Sequence, residues 1–160
     1  MTDAIDKAAG LSPEDALYAT RRFRPEFVDG AELCRLSVLK PANDQGLAAD
    51  LRLALAQRIA ALNADHSLVQ DYAAQLAQGQ PTPTVLALAA GETRLAEPLA
   101  TLARHVDFVT LTPASAEAGD IRRLEAAGLT SPQIVALSEL IAFVNFQTKV
   151  AAGLRLMELS

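Results

Sequence analysis

The chain of 160 residues carries 14 Lys and Arg against 19 Asp and Glu, for a net charge of −5, and is 51% hydrophobic but only 4% aromatic. That length buries a core without disulfides or metals, and the acidic balance argues against general nucleic-acid binding, which needs basic surface to neutralise phosphates. A single cysteine, Cys34, excludes an intramolecular disulfide and any paired-thiol redox or zinc motif.

The apolar content is mainly Ala, Leu, Val and Ile, and the Ala and Leu bias favours helices throughout. Met1-Thr2-Asp3-Ala4-Ile5-Asp6 has acids where a secretory leader would be basic, and no run approaches the ~18 to 20 apolar residues of a membrane span, so the expectation is a cytoplasmic protein. Ser12-Pro13-Glu14-Asp15 reads as a helix start, with serine capping, proline in the first turn and acids facing the positive helix end. The basic cluster Arg21, Arg22 and Arg24 reads as a solvated helix end paired with Glu14, Asp15 or Glu26. Pro25 interrupts, a second helix follows from Glu26 to Leu39, and Cys34 beside Leu33 and Leu36 is expected to be a buried small hydrophobe.

Lys40 to Gly46 is a loop by composition. Leu47, Leu51, Leu55, Ile59 and Leu62 then recur at helical spacing, with Asp50, Arg52, Gln57 and Arg58 placed off that face. Asn63-Ala64-Asp65 breaks the pattern before an amphipathic segment from Leu68 to Ala77, stopped by Gly79. Thr82-Pro83 starts a short helix that Gly91 stops, and another covers Glu97 to Val109. Ser115 caps the segment ending at Ala126-Ala127-Gly128, where glycine suits the left-handed position. Ser131-Pro132 opens the longest helix, to Met157, with Ile134, Val135, Leu137, Leu140, Ile141, Phe143, Val144 and Phe146 around most of its circumference. The expected architecture is all-α, one helical domain over residues 1–160 with no linker or low-complexity tract.

The last helix, from Ile141-Ala142-Phe143-Val144-Asn145-Phe146 through Lys149 to Gly153-Leu154, resembles the C-terminal helix of peroxidase-related proteins in the alkylhydroperoxidase D-like, or carboxymuconolactone decarboxylase-like, superfamily. Asp107-Phe108, Thr112-Pro113, Leu124 to Leu129 and the lead-in Arg58 to Asn63 fit the same family in order, over residues 47–157. The opening, Asp6, Ala9 to Pro13 and Arg24-Pro25, is similar to its cysteine-poor CMD-domain branch. The resemblance implies an all-α fold that associates as dimers, trimers or hexamers. In the peroxidase members, a Cys-x-x-Cys pair and a His follow the Leu-Asn lead-in, with a Glu one helix earlier. One thiolate attacks the peroxide, the second resolves the sulfenic acid, and Glu and His relay the proton.

Aligned on Leu62-Asn63, the cysteines fall on Asp65 and Leu68, the histidine on Tyr72 and the glutamate near Leu53. A carboxylate and a leucine cannot form a disulfide, so thiol peroxidase activity is not expected; the decarboxylases of the superfamily rely on the histidine, which Tyr72 replaces.

The remaining candidates divide between structure and chemistry. Asp65 is an N-cap or a catalytic acid, and His66 a solvated residue or a general base. Tyr72 is expected to be half-buried with its hydroxyl bonded. His105 and Asp107 are metal-ligand types without a recognisable third, and His105 is also a candidate catalytic group; no metal or cofactor is expected. Asn145 and Lys149 share a face of the last helix, and with Phe143 and Phe146 are candidates for an interface or pocket. Two functional readings follow: a non-catalytic member that acts through assembly, and a thiol-independent decarboxylase or isomerase of a small organic acid using Asp65, His66, Tyr72 or His105. The expected partner is a second copy of the chain, with a cysteine-bearing relative or a small molecule as further candidates, and neither nucleic acid nor membrane.

Overall fold

The computed structural model describes residues 2–159, which form nine α-helices and no strand. They are α1 (Ala4–Ala9), α2 (Ala16–Arg21), α3 (Pro25–Leu39), α4 (Ala49–Leu62), α5 (His66–Gln78), α6 (Pro83–Ala89), α7 (Leu99–Leu111), α8 (Ala118–Ala126) and α9 (Ser131–Glu158). A 3-10 turn, Pro113–Ser115, joins α7 to α8.

The N-terminal reading needs correction. A helix already runs through Ala4–Ala9, capped where Asp3 and Asp6 exchange side chain-to-backbone hydrogen bonds of 2.8 and 3.1 Å. Gly10 ends it in the left-handed conformation at φ 82°, which a residue with a Cβ adopts only under strain. Ser12 does not open the next helix: its backbone N–H donates to the Asp15 carboxylate at 2.6 Å, forming a turn, and α2 starts at Ala16. Nor do Arg21 and Arg22 pair with Glu14 or Asp15. Arg21 reaches Asp3 at 2.8 Å and Asp6 at 2.6 Å, and Arg22 reaches Asp6 at 2.5 Å, tying α2 onto α1. Burial opposes the charge on Asp6, but hydrogen bonds from Arg22, the Asp3 backbone and Arg21 outweigh it and hold this carboxyl below its ordinary range. Arg24 does pair with Glu26, at 3.1 Å.

α4 lies at the centre, packed against α3, α5, α6, α7 and α9. On its apolar face Leu55 and Ile59 are fully buried, and Leu51 and Leu62 partly so. Arg52 and Arg58, read as off-face polar residues, are buried as well. Each guanidinium donates to backbone carbonyls at helix ends and in the loops beside them: Arg52 to Leu47, Val38 and Asp44 oxygens at 2.7 to 2.8 Å, and Arg58 to Leu88 and Glu92 oxygens at 3.0 and 2.9 Å. Arg58 also makes a two-pronged pair with Asp107 on α7, at 2.6 and 2.7 Å.

The chain leaves α4 at Asn63–Asp65 through Ala64, at φ 55°, and α5 follows. Gly91 and Gly128 take left-handed conformations at φ 91° and 98°, after α6 and α8. The cap of α8 is Glu117 rather than Ser115, which lies in the 3-10 turn; the Glu117 backbone N–H donates to Asp120 at 2.9 Å. Thr130 caps α9, exchanging bonds with Gln133. α9 buries Ile134, Leu137, Leu140, Ile141, Val144, Ala151 and Leu154 inside the fold, but exposes Val135, Phe146, Leu156 and Met157. By length and composition α9 could cross a membrane, yet half of its most apolar stretch is covered by the rest of the chain. Most helices share one core, and a smaller cluster of Ile5, Ala9, Leu11, Tyr18, Ala31 and Leu154 joins α1 and α2 to α3 and α9.

Candidate functional site

The junction of α4 and α5 presents the positions that the resemblance assigns to chemistry. Asp65 is buried, accepts the Leu68 backbone N–H at 3.1 Å as N-cap of α5, and pairs with Arg155 from the end of α9. Leu68 and Tyr72 are each 1% exposed and belong to the main core, so Tyr72 is enclosed rather than half-buried. Its hydroxyl donates to Gln147 Oε1 of α9 at 2.5 Å, and burial pushes the phenol well above its ordinary pKa, which keeps it protonated as the donor. Leu53 is buried one helix earlier, and His66 stands exposed on the first turn of α5. These side chains are close in the fold but are used for capping, packing and bridging α5 to α9.

A second polar cluster lies one turn away. Lys149 Nζ donates to Asn63 Oδ1 at 3.1 Å, and Asn63 Nδ2 donates to Asn145 Oδ1 at 3.0 Å. Asn145 Nδ2 donates to the Ile141 carbonyl at 2.9 Å and to Thr110 Oγ1 at 3.4 Å, so the cluster joins α4, α7 and α9.

That cluster forms one end of a cavity of about 620 Å³ between α7, α8 and α9, whose walls include Val109, Pro113, Ile121, Ile141 and Ala142. His105 lies on its wall and also borders a neighbouring cavity of about 530 Å³ with Arg104, Phe108 and Arg123. His105 is only 9% exposed, and burial lowers its pKa; nearby Asp120 opposes that shift and Arg123 adds to it, so the site favours the neutral imidazole. His105 and Asp107 do not converge on a metal: two positions apart on a helix they face different ways, and Asp107 is held by Arg58. Among the described residues no three His, Cys, Asp or Glu side chains come together as a metal site.

The remaining candidates border a groove of about 670 Å³ between α3 and α9, lined by Phe27, Gly30, Cys34, Phe143 and Phe146 among others. Phe143 is buried with its ring centroid 6.2 Å from that of Phe146, which is 45% exposed. Cys34 is exposed, contrary to expectation. α3 turns Val28, Ala31, Val38 and Leu39 inward, and Cys34 falls on the opposite side, where its Leu33 and Leu36 neighbours are exposed too.

No family model matches the sequence, and no curated protein does. A solved structure of similar fold is the uncharacterized peroxidase-related protein from Silicibacter sp. TM1040, with a TM-score of 0.71 at 16% identity, over 95% of this chain and 79% of that one. The two chains share a fold. At that identity the likeness is one of fold, and activity has to be argued from the side chains.

The structure also supplies partners that sequence reasoning missed. Gln147 and Arg155 hold Tyr72 and Asp65, Arg58 holds Asp107, and Asp120 stands near His105. An amide such as Gln147 within an apolar stretch of helix was the available signal for the first; the others come from other helices.

Proposed function

We propose that this chain is a member of the alkylhydroperoxidase D-like, carboxymuconolactone decarboxylase-like superfamily whose dithiol site has been replaced by structural contacts, and that it acts in the cytoplasm by assembling with copies of itself. The carrying observation is the use made of Asp65, Leu68 and Tyr72: a cap paired with Arg155, a core leucine, and a phenol bonded to Gln147. Peroxide reduction by a thiol pair needs one sulfur to take the oxygen and a second to displace water from the sulfenic acid. The chain has one cysteine, on α3 and away from this junction, so a sulfenic acid formed there has no resolving thiol in the same chain.

The test is hydroperoxide consumption with dithiol and thioredoxin-type reductants, comparing wild type with Cys34→Ser. The expected result is no turnover above the buffer rate for either protein. Sustained turnover that disappears in Cys34→Ser would overturn the proposal.

A further inference from the structure

Separately from assembly, we propose that a cavity of about 490 Å³, between the loop after α3 and the first turn of α9, binds an oxyanion of phosphate type, with the buried Arg52 guanidinium as its counter-charge.

Arg52 is the first ground. It is 2% exposed and lines this cavity, yet no carboxylate lies within ion-pair distance of it among the described residues. Arg58, the other buried arginine of α4, has Asp107. A buried charge is ordinarily paired, because carbonyl dipoles replace lost water only in part. Asp44 and Glu139 act on Arg52 from a distance, and burial outweighs them, so the surroundings disfavour its charge. Arg21, Arg22 and Arg35, which bond carboxylates, are instead held charged. The three carbonyl bonds of Arg52 use three of the five guanidinium N–H groups and leave one on each terminal nitrogen.

The start of α9 is the second. Ser131 and Pro132 form the first turn of this 28-residue helix and line the same cavity. Thr130 engages the Gln133 and Ile134 N–H groups, whereas the Ser131 N–H and hydroxyl have no partner among the described residues. Such a helix start carries positive partial charge and receives anions. Ser37, Asn43 and Gln45 add hydroxyl and amide groups to the lining. Glu139 borders the cavity too and repels an anion, but the rise of α9 from Ser131 to Glu139 is about 12 Å, which assigns the anion to the Ser131 end. Donors of three kinds, guanidinium, backbone N–H and hydroxyl, suit the several acceptor oxygens of a phosphate group.

The full chain, labelled with nitrogen-15 at arginine, is titrated with inorganic phosphate, with phenyl phosphate and, at matched ionic strength, with sodium chloride. The expected result is a saturable shift of the Arg52 Nε–H signal with both phosphates and none with chloride, while exposed Arg94 stays still. Equal affinities assign the free ion and tighter phenyl phosphate a monoester; both support the site. Ser131→Asp keeps a favourable acid at the helix start but puts a like charge in the site, so phosphate should bind about tenfold more weakly with circular dichroism retained. Glu139→Gln, an exposed change, should tighten binding about threefold by removing the repelling carboxylate. Both variants leave the Arg52 bonds in place. The proposal is overturned if phosphate moves Arg52 no more than chloride does, if the shift rises without saturating, or if Ser131→Asp binds phosphate as wild type does.

Discussion

Tyr72 carries the clearest consequence for a single residue. Removing its hydroxyl leaves the Gln147 carbonyl oxygen buried without its donor, a loss of about 1 to 3 kcal/mol. Tyr72→Phe is therefore expected to lower the unfolding free energy by that amount, read as a lower midpoint in urea at an unchanged slope. Tyr72→Phe with Gln147→Leu should recover much of the loss, since replacing both partners by apolar groups is nearly neutral. A loss in the double variant equal to the sum of the two single losses would show that the pair is not coupled. The position was legible in the sequence, because the Leu-Asn lead-in marks where α5 begins; the use of the residue was not, because Gln147 is 75 residues away and no spacing rule links a tyrosine on one helix to an amide on another. Cys34 was misread for a related reason. Apolar neighbours in sequence predict burial only if they face the core, and Leu33 and Leu36 do not.

Among the elements, helix existence followed from period and punctuation, with starts and stops near α3 to α9 read within a turn or two. The N-terminal region failed because α1 and α2 are six residues each, too short for hydrophobic periodicity to register, and are tied to each other by charge as well as by a small apolar cluster. Arg21, Arg22, Asp3 and Asp6 form that link, and its pH dependence has a definite sign. The Asp6 carboxyl is depressed in the folded chain, so its contribution is fully present above the unfolded carboxylate value of about 3.9 and is lost as pH falls through the lower folded value. Asp6→Asn should destabilise the protein by about 2 to 3 kcal/mol at neutral pH, the scale of a lost charge-assisted bond, and should flatten the fall in stability at low pH. Chemical denaturation across the acid range measures both. An acid limb unchanged by Asp6→Asn would remove this carboxylate from the account. The same division applies to α4: its leucine face was visible from the four-residue spacing, but not that Arg52 and Arg58 turn inward, because the carbonyls they satisfy belong to α3, α6 and their loops.

At the scale of the whole molecule, the unresolved surplus is apolar surface on α3 and α9. Within its own chain α9 covers most of its large side chains, so the expectation from a helix apolar around most of its circumference overstated what is left outside. What remains is still concentrated: Phe146 is 45% and Phe27 58% exposed on the same groove, with Val135 outward on α9 and Leu33 and Leu36 on α3. Monomers rarely leave contiguous apolar patches of this kind in water. The groove border carries both signs, with Arg24 bonded to Glu26 and lying 4.3 Å over the Phe27 ring, and Glu139 on α9. A two-fold contact over such a patch lets Phe146 of each copy enter the groove of the other. Fully burying one phenylalanine contributes about 1.5 to 3 kcal/mol, so covering the exposed halves of Phe27 and Phe146 in two copies offsets part of the rigid-body entropy of association. Wild type is expected to sediment as a dimer at low micromolar concentration, and Phe146→Glu as a monomer with unchanged helical content. Gln70→Glu, an equally charged change on exposed α5, should stay dimeric. Cys34 supplies an independent reading, since it lines the groove and is open in the single chain. Its reaction with an aromatic disulfide reagent should be slow in wild type, fast in Phe146→Glu, and should quicken on dilution of wild type through the dissociation range. A wild-type monomer, or a dimer in which Cys34 reacts as fast as a free thiol, would place the contact elsewhere or nowhere.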